Sequence, residues 1–292
     1  MNRHKLSEAE VEQYKIEGYV VLKSVFGPDD TAKVDTTIRQ LTDRALSGDD
    51  LSSILELEPE PVEGQRVPRR IYDPFDQHET FRALATDPRV LDRIEQLIGP
   101  NINVQHSKLN MKPAAVGSVV EWHQDLAYFP HTNDDLVTTL IYLDEATEEN
   151  GCLQVLPRHR HHFFDHHGTD GTFAGMITEE IADGRFGKPV PLPAPAGSVI
   201  FMHCILPHSS SPNRSKCPRR TLIFEYRAAD SFPIYYGDNT AVVESNVRMV
   251  RGKPAQYARL GGPAPLIPRI KLFKSLYQLQ EQSKTKVSTV KN

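Results

Sequence analysis

A chain of 292 residues, with 39% hydrophobic and 25% charged side chains, can bury a sizeable core and has the balance of a folded soluble protein, not a disordered one. A formal net charge of −4 excludes a broad basic surface for nucleic acid, and no apolar run approaches the length of a membrane span.

The N-terminal stretch MNRHKLSEAEVEQYKIEGYVV has no apolar signal core and too many acids for a transit peptide. Ser7 and Glu10 have capping-box spacing, which predicts a helix stopping near Gly18. YVVLK (19–23) reads as a short strand. The segment after Gly27 starts with Pro and acids, and places Val34, Ile38, Leu41 and Ala45 on one helical face. Residues 49–67 are acidic and Pro-bearing, the composition of a loop. RRIYDPF (69–75) returns to order. TDPRVLDRIEQLIGP (86–100) carries an Asp N-cap, Pro at the first helical position and a Gly stop, which predicts a helix.

Beyond residue 100 the texture changes. INVQHSKLNMKP, SVVEWHQD, LVTTLIYLDEA, CLQVLP, GSVIFMH, ILPHSSS and RTLIFEYRAA are short, rich in β-formers and bounded by turns. Asn150-Gly151 is a turn signal between two of them. Residues 161–190 form a long polar insert, and 266–284 predict a final amphipathic helix. The pattern predicts a mainly β fold with flanking helices (α+β), its strands closed into a cupin-like jelly roll. No flexible linker separates the helical part, 1–100, from the strands, so one domain over 1–292 is expected. The thiols of Cys152, Cys204 and Cys217 form no CxxC and read as reduced, with a cytoplasmic location expected. Nothing in the chain fixes an oligomeric state.

The chemistry gathers in EWHQDLAYFP (121–130). On a strand, His123 and Asp125 share a face, so an imidazole and a carboxylate aim at one point. One more His completes the two-histidine, one-carboxylate set of a non-haem Fe(II) site. FMHCILPHSSS offers two candidates, His203 and His208, and local pattern does not choose between them. Arg219 follows a turn at the start of a strand. Its planar fork suits a carboxylate, and Ser210, two residues after His208, can present a hydroxyl to the same group.

Five histidines in RHRHHFFDHH (His159, His161, His162, His166 and His167) match no compact tetrahedral set. A solvated loop is the expected reading. A substrate lid using His166 and His167 is the alternative. Trp122 points away from His123 and is expected to pack. Tyr128 and His131 can turn over the site mouth. Lys108 and Asn110 share a strand face; if that face is inward, Lys108 implies an anionic or polar group on the substrate.

The stretch from about 69 to 232 resembles the phytanoyl-CoA dioxygenase family. HSKLNMKP, WHQDLAYFP, DEATEENGCLQVLPRHR, GSVIFMH, PHSSSPN and PRRTLIFEYRAAD carry the resemblance. It implies a double-stranded β-helix core, Fe(II), 2-oxoglutarate as cosubstrate and O2 as oxidant. The HxD…H motif of the family assigns the iron ligands, which are also the catalytic residues, to His123, Asp125 and His208. The spacing of 11 residues from His208 assigns the cosubstrate arginine to Arg219. Ser210 and Arg70 match two further cosubstrate positions.

The implied activity is hydroxylation of a small organic molecule with release of succinate and CO2. Halogenating relatives lack the carboxylate, so Asp125 implies oxidation without halogenation. A non-catalytic metal-binding jelly roll, or a protein hydroxylase, is the alternative. The small-molecule site is the expected partner, with no nucleic acid and no membrane.

Overall fold

The computed structural model describes residues 4–62, 64–115, 119–181, 185–234, 248–262, 280–281 and 283–284. Most of the helix expected over 266–284 lies outside the described residues. Helix α1 (Glu8–Glu17) is capped as its sequence predicts: Glu10 N donates to Ser7 Oγ, and Ser7 N donates to the Glu10 carboxylate at 2.7 Å. It ends at Gly18, whose φ of +86° costs a glycine little.

Strand β1 (Tyr19–Leu22) follows, then α2 (Pro28–Leu46), which buries Val34, Thr37, Ile38 and Leu41 along one face. The segment read as a loop holds a strand, β2 (Leu55–Leu57), paired to β3 (Pro68–Tyr72) through Leu55 opposite Ile71. Burial of these two apolar side chains on the sheet outweighs the acidic composition around them. Helices α3 (Pro74–Gln77), α4 (Glu79–Ala85) and α5 (Pro88–Ile98) complete the helical part, the last capped by Asp87 as expected.

The remaining strands are β4 (Ile102–Lys112), β5 (Val120–His123), β6 (Leu136–Tyr142), β7 (Leu153–Val155), β8 (Val190–Pro191), β9 (Val199–His203), β10 (His208–Ser210), β11 (Arg219–Ala228) and β12 (Arg248–Arg251). Each predicted strand segment contains one of them. They build a large sheet in the order β1-β9-β6-β11-β4-β3-β2, with β12 beside β4, and a smaller sheet in the order β5-β10-β7-β8. All pairings are antiparallel. This is the jelly-roll arrangement.

Strand alternation divides the large sheet into two unlike faces. Its outer face carries Leu109, Met111, Val137, Ile141, Phe201, Leu222 and Phe224, packed with Ile38, Phe81, Val90 and Ile94 of the helices. Each such side chain contributes about 1.5–3 kcal/mol on burial. The inner face of β4 and β11 instead presents Lys108, Asn110, Lys112, Arg219, Thr221 and Glu225. A face this polar is expensive as core and belongs to a site. Among the described residues no helix is long and apolar enough to cross a membrane.

Candidate active site

Strands β5 and β10 pair with His123 opposite His208, and the two rings lie 4.1 Å apart between centroids. Strand β5 ends at His123; Asp125 instead opens a 3-10 turn, Asp125–Ala127. The expected same-face strand geometry is therefore not what joins them. The turn swings the carboxylate back, and Asp125 Oδ1 lies 3.8 Å from Nε2 of both His123 and His208. One ligand atom from each of the three residues lies within 4.8 Å of the others.

Backbone carbonyls set the tautomers. His123 Nδ1 is 2.8 Å from Glu121 O and His208 Nδ1 is 3.0 Å from Leu206 O, so each Nδ1 must carry the proton and donate it. The Nε2 lone pairs then face Asp125. Burial pushes both imidazoles below their usual pKa. Burial alone raises the Asp125 carboxyl, but His208, Lys108 and His123, with the Thr138 hydroxyl, outweigh it and hold the pKa low. Two neutral nitrogens and one carboxylate are the protonation states a divalent metal needs, and the donor set suits Fe(II).

His203, the rival ligand, lies apart from this cluster. It sits opposite Val137, whose side chain belongs to the outer core. Its ring lies 6.2 Å from that of Tyr14, its Nδ1 accepts from Ile205 N, and its Nε2 faces Asp134.

Further along the inner face stands a pair of basic side chains. Arg219 and Lys112 are directly opposite across β11 and β4, both at most 5% exposed. Arg219 donates to Thr221 Oγ1 at 2.8 Å and to Gly151 O at 2.6 Å. Lys112 donates to the carbonyls of Ser210 and Ser211, and no carboxylate bonds it among the described residues. Burial first, and Arg219 second, lower its pKa to about 6. At neutral pH Lys112 is then largely uncharged beside the Arg219 cation, and a carboxylate placed between the two would draw the proton back onto it. Gly151 holds this end together: a Cβ there would stand 2.2 Å from Ser211 O, and its φ is +77°.

Residues 14–221 match the family model for phytanoyl-CoA dioxygenase (PhyH). The chain belongs to the phytanoyl-CoA dioxygenase family. It is 32% identical over 254 residues to a probable alpha-ketoglutarate-dependent hypophosphite dioxygenase of Stutzerimonas stutzeri, covering 85% of this chain and 87% of the relative. It is 32% identical over 204 residues to L-proline trans-4-hydroxylase of Streptomyces griseoviridis, covering 62% and 75%. Among solved structures, apo EctD from S. alaskensis has a TM-score of 0.67 at 23% identity, covering 82% of this chain and 83% of that one. This likeness bears out the jelly-roll fold.

Within this family member, Thr138 and Glu225, like Lys112, are site residues that sequence reasoning missed. Thr138 Oγ1 lies 2.6 Å from Asp125 Oδ2 and 2.6 Å from Glu225 Oε2. One hydroxyl proton cannot serve two carboxylates, so a second proton belongs on Glu225, donated to Thr138 while Thr138 donates to Asp125. Burial, then the Asp125 charge, push the Glu225 carboxyl up to about 7, in the same sense. Thr138→Val removes the hydrogen bond that orients Asp125. Fe(II) affinity is expected to fall about 10- to 100-fold, read by metal titration, while circular dichroism stays unchanged.

Lys108 points inward: its Nζ is 3.4 Å from Glu225 Oε1 and 3.8 Å from Asp125 Oδ1. Asn110 and Arg70 face each other across β4 and β3, and the Arg70 guanidinium lies 4.9 Å over the Tyr72 ring. Tyr128 sets its ring edge-on to His123 at 5.8 Å and donates its hydroxyl to Gly175 O. His131 is farther out, bonded to Phe129 O and 3.4 Å from Gln105 Oε1.

The histidine-rich insert is not wholly solvated. His166 and His167 are buried, and His166 accepts from Gln124 N while its Nδ1 bonds Phe164 O. Apolar neighbours Phe163, Phe164 and Phe173 pull the segment onto the flank of the site. His161 and His162 remain exposed, as expected of a polar loop. Trp122 packs in the cluster of Leu156, Phe164 and Ile177, as its strand position predicts.

Proposed function

We propose that His123, Asp125 and His208 hold Fe(II), that Arg219, Lys112 and Ser210 hold the distal carboxylate of 2-oxoglutarate with Arg70 beside them, and that the chain hydroxylates a small molecule as one cytoplasmic catalytic domain. The observation that carries this reading is the convergence, on one inner face, of a neutral-neutral-anionic donor set and the buried, directly opposed side chains of Arg219 and Lys112. Relatives named for alpha-ketoglutarate-dependent dioxygenation and for proline hydroxylation support the activity. Their named substrates, hypophosphite and proline, support a small molecule over a protein substrate.

When bound, the metal and cosubstrate supply the activation of O2 coupled to decarboxylation. The protein's part is geometry. The carbonyls of Glu121 and Leu206 fix the imidazoles, and Thr138 fixes Asp125. Arg219 and Lys112 would hold the distal carboxylate of the cosubstrate, leaving its keto acid end free for the metal. Tyr128, Phe129 and the insert shield the site from water. Lys108, Asn110, Tyr128 and His131 line the side left for substrate.

Succinate release tests this reading. It should require Fe(II), 2-oxoglutarate and O2 together, and added chloride should yield no halogenated product because Asp125 occupies that position. Succinate formation independent of Fe(II) contradicts the reading.

A further inference from the structure

The inner face reads as a ladder of charge. Arg219 and Lys112 form one rung; Arg70, Asn110 and Thr221 the next; Tyr72, Lys108 and Ile223 the third; His106 and Glu225 the fourth. The first rung is accounted for by the cosubstrate's distal carboxylate. Asp125, at the far end, is accounted for by the metal. Lys108 helps hold Asp125 ionised, but only through loose ion pairs. Its contacts at 3.4 and 3.8 Å are both longer than the 2.7–2.9 Å or so of a charge-assisted hydrogen bond. Its stronger neighbour, Glu225, already shares a proton with Thr138. An ammonium with donors to spare therefore stands beside the metal ligands, its side chain only 12% exposed.

Other groups nearby are also unspent. Arg70 Nε, Gln105 Nε2, Asn110 Oδ1 and His106 Nδ1 are buried without a hydrogen-bond partner. Buried polar groups of this kind are rare unless a ligand or water completes them. Glu225 Oε1 is buried without a hydrogen-bond partner too, and Lys108 is the cation of this stretch that the cosubstrate reading leaves over.

We infer that the substrate is a small oxyanion held by Lys108, and that oxidation falls on the anion's central atom or on the carbon bonded to it. This rests on the dioxygenase reading above. The position follows from reach: Lys108 Nζ is 3.8 Å from the Asp125 oxygen that faces both histidines. An anion hydrogen-bonded to Lys108 therefore lies beside the three ligands, with its central atom or the carbon bonded to it nearest them. The reaction is R–H + 2-oxoglutarate + O2 → R–OH + succinate + CO2. An R–H bond breaks and an R–O bond forms. R–H and the cleaved C–C bond of 2-oxoglutarate each give two electrons to O2; one oxygen atom enters R–OH and the other enters succinate.

The test uses the full chain, loaded anaerobically with Fe(II) and 2-oxoglutarate, whose weak visible band reports a formed site. Hypophosphite, methylphosphonate and propionate are titrated in turn, with dimethyl sulfone as an uncharged tetrahedral control. At least one anion should shift the band and the sulfone should not. Which anion responds separates a phosphorus site from a carboxylate site. Lys108→Met should weaken that anion about tenfold or more, and Lys108→Arg should recover most of the loss, which a merely structural lysine would not show. In air, the products should be phosphite, hydroxymethylphosphonate or lactate.

A band that forms but responds to no anion overturns the oxyanion inference alone. So does Lys108→Met binding within about twofold of wild type, or oxidation only at a remote carbon. No band in the wild type overturns the dioxygenase reading and this inference with it.

Discussion

His208→Ala is expected to abolish Fe(II) binding, whereas His203→Ala leaves it intact. Both histidines are buried and five residues apart, so composition and exposure do not separate them. Their surroundings do. His208 faces His123 across β5 and β10, with Nε2 3.8 Å from Asp125 Oδ1 and Nδ1 committed to Leu206 O. His203 spends Nδ1 on Ile205 N and turns its ring to Tyr14 on the helical side of the sheet. Removing it leaves a cavity and should cost about 1–3 kcal/mol of stability, seen as a lower Tm. Removing His208 takes away one of three donors, and the remaining pair cannot close a facial site. Metal content after desalting reads the difference directly. Equal iron loss in the two variants contradicts the assignment.

Arg219→Met is expected to raise the Kd for 2-oxoglutarate about 10- to 100-fold or more, with Fe(II) binding retained. A charge-assisted hydrogen bond contributes about 1.5–3 kcal/mol, and a bidentate guanidinium pair adds geometry to that. Arg219 is held straight by Thr221 and Gly151 before any ligand arrives, so little entropy is lost on binding. Lys112→Met should act in the same direction. Because Lys112 also ties the carbonyls of Ser210 and Ser211, its loss should additionally lower the Tm. An Arg219 variant that binds 2-oxoglutarate like wild type would place the cosubstrate elsewhere.

Much of this site is legible before any coordinates. HxD, a later His and an Arg behind a turn are local text, and the capping signals at Ser7 and Asp87 specify their helices through backbone hydrogen bonds. The strands were readable because their residues are β-branched and turn-bounded. What was not readable depends on partners distant in sequence. Strand β2 exists because Leu55 meets Ile71, a pairing that the acids around it conceal. Asp125 leaves the strand for a 3-10 turn, so its convergence on His123 comes from a bend and not from alternation.

Thr138 and Glu225 are joined to Asp125 only by the packing of β6, β11 and the turn. A signal for Glu225 was present nonetheless. It is an acid in an otherwise apolar stretch, six residues from Arg219 and so on the same face. The polar run around His166 predicts a solvated loop, although Phe163 and Phe164 lie within it. The burial of His166 follows from Phe164 and Phe173 on either side.

One buried face is proposed to hold Fe(II) at one end and the distal carboxylate of 2-oxoglutarate at Arg219. The most direct measurement adds Fe(II) and then 2-oxoglutarate, without oxygen, to metal-free protein and records the visible absorption of the chelate. Wild type should show the band, Asp125→Ala should lose it with the metal, and Arg219→Ala should need far more 2-oxoglutarate to form it. Folded wild-type protein that binds Fe(II) yet shows no band at saturating 2-oxoglutarate would contradict the claim.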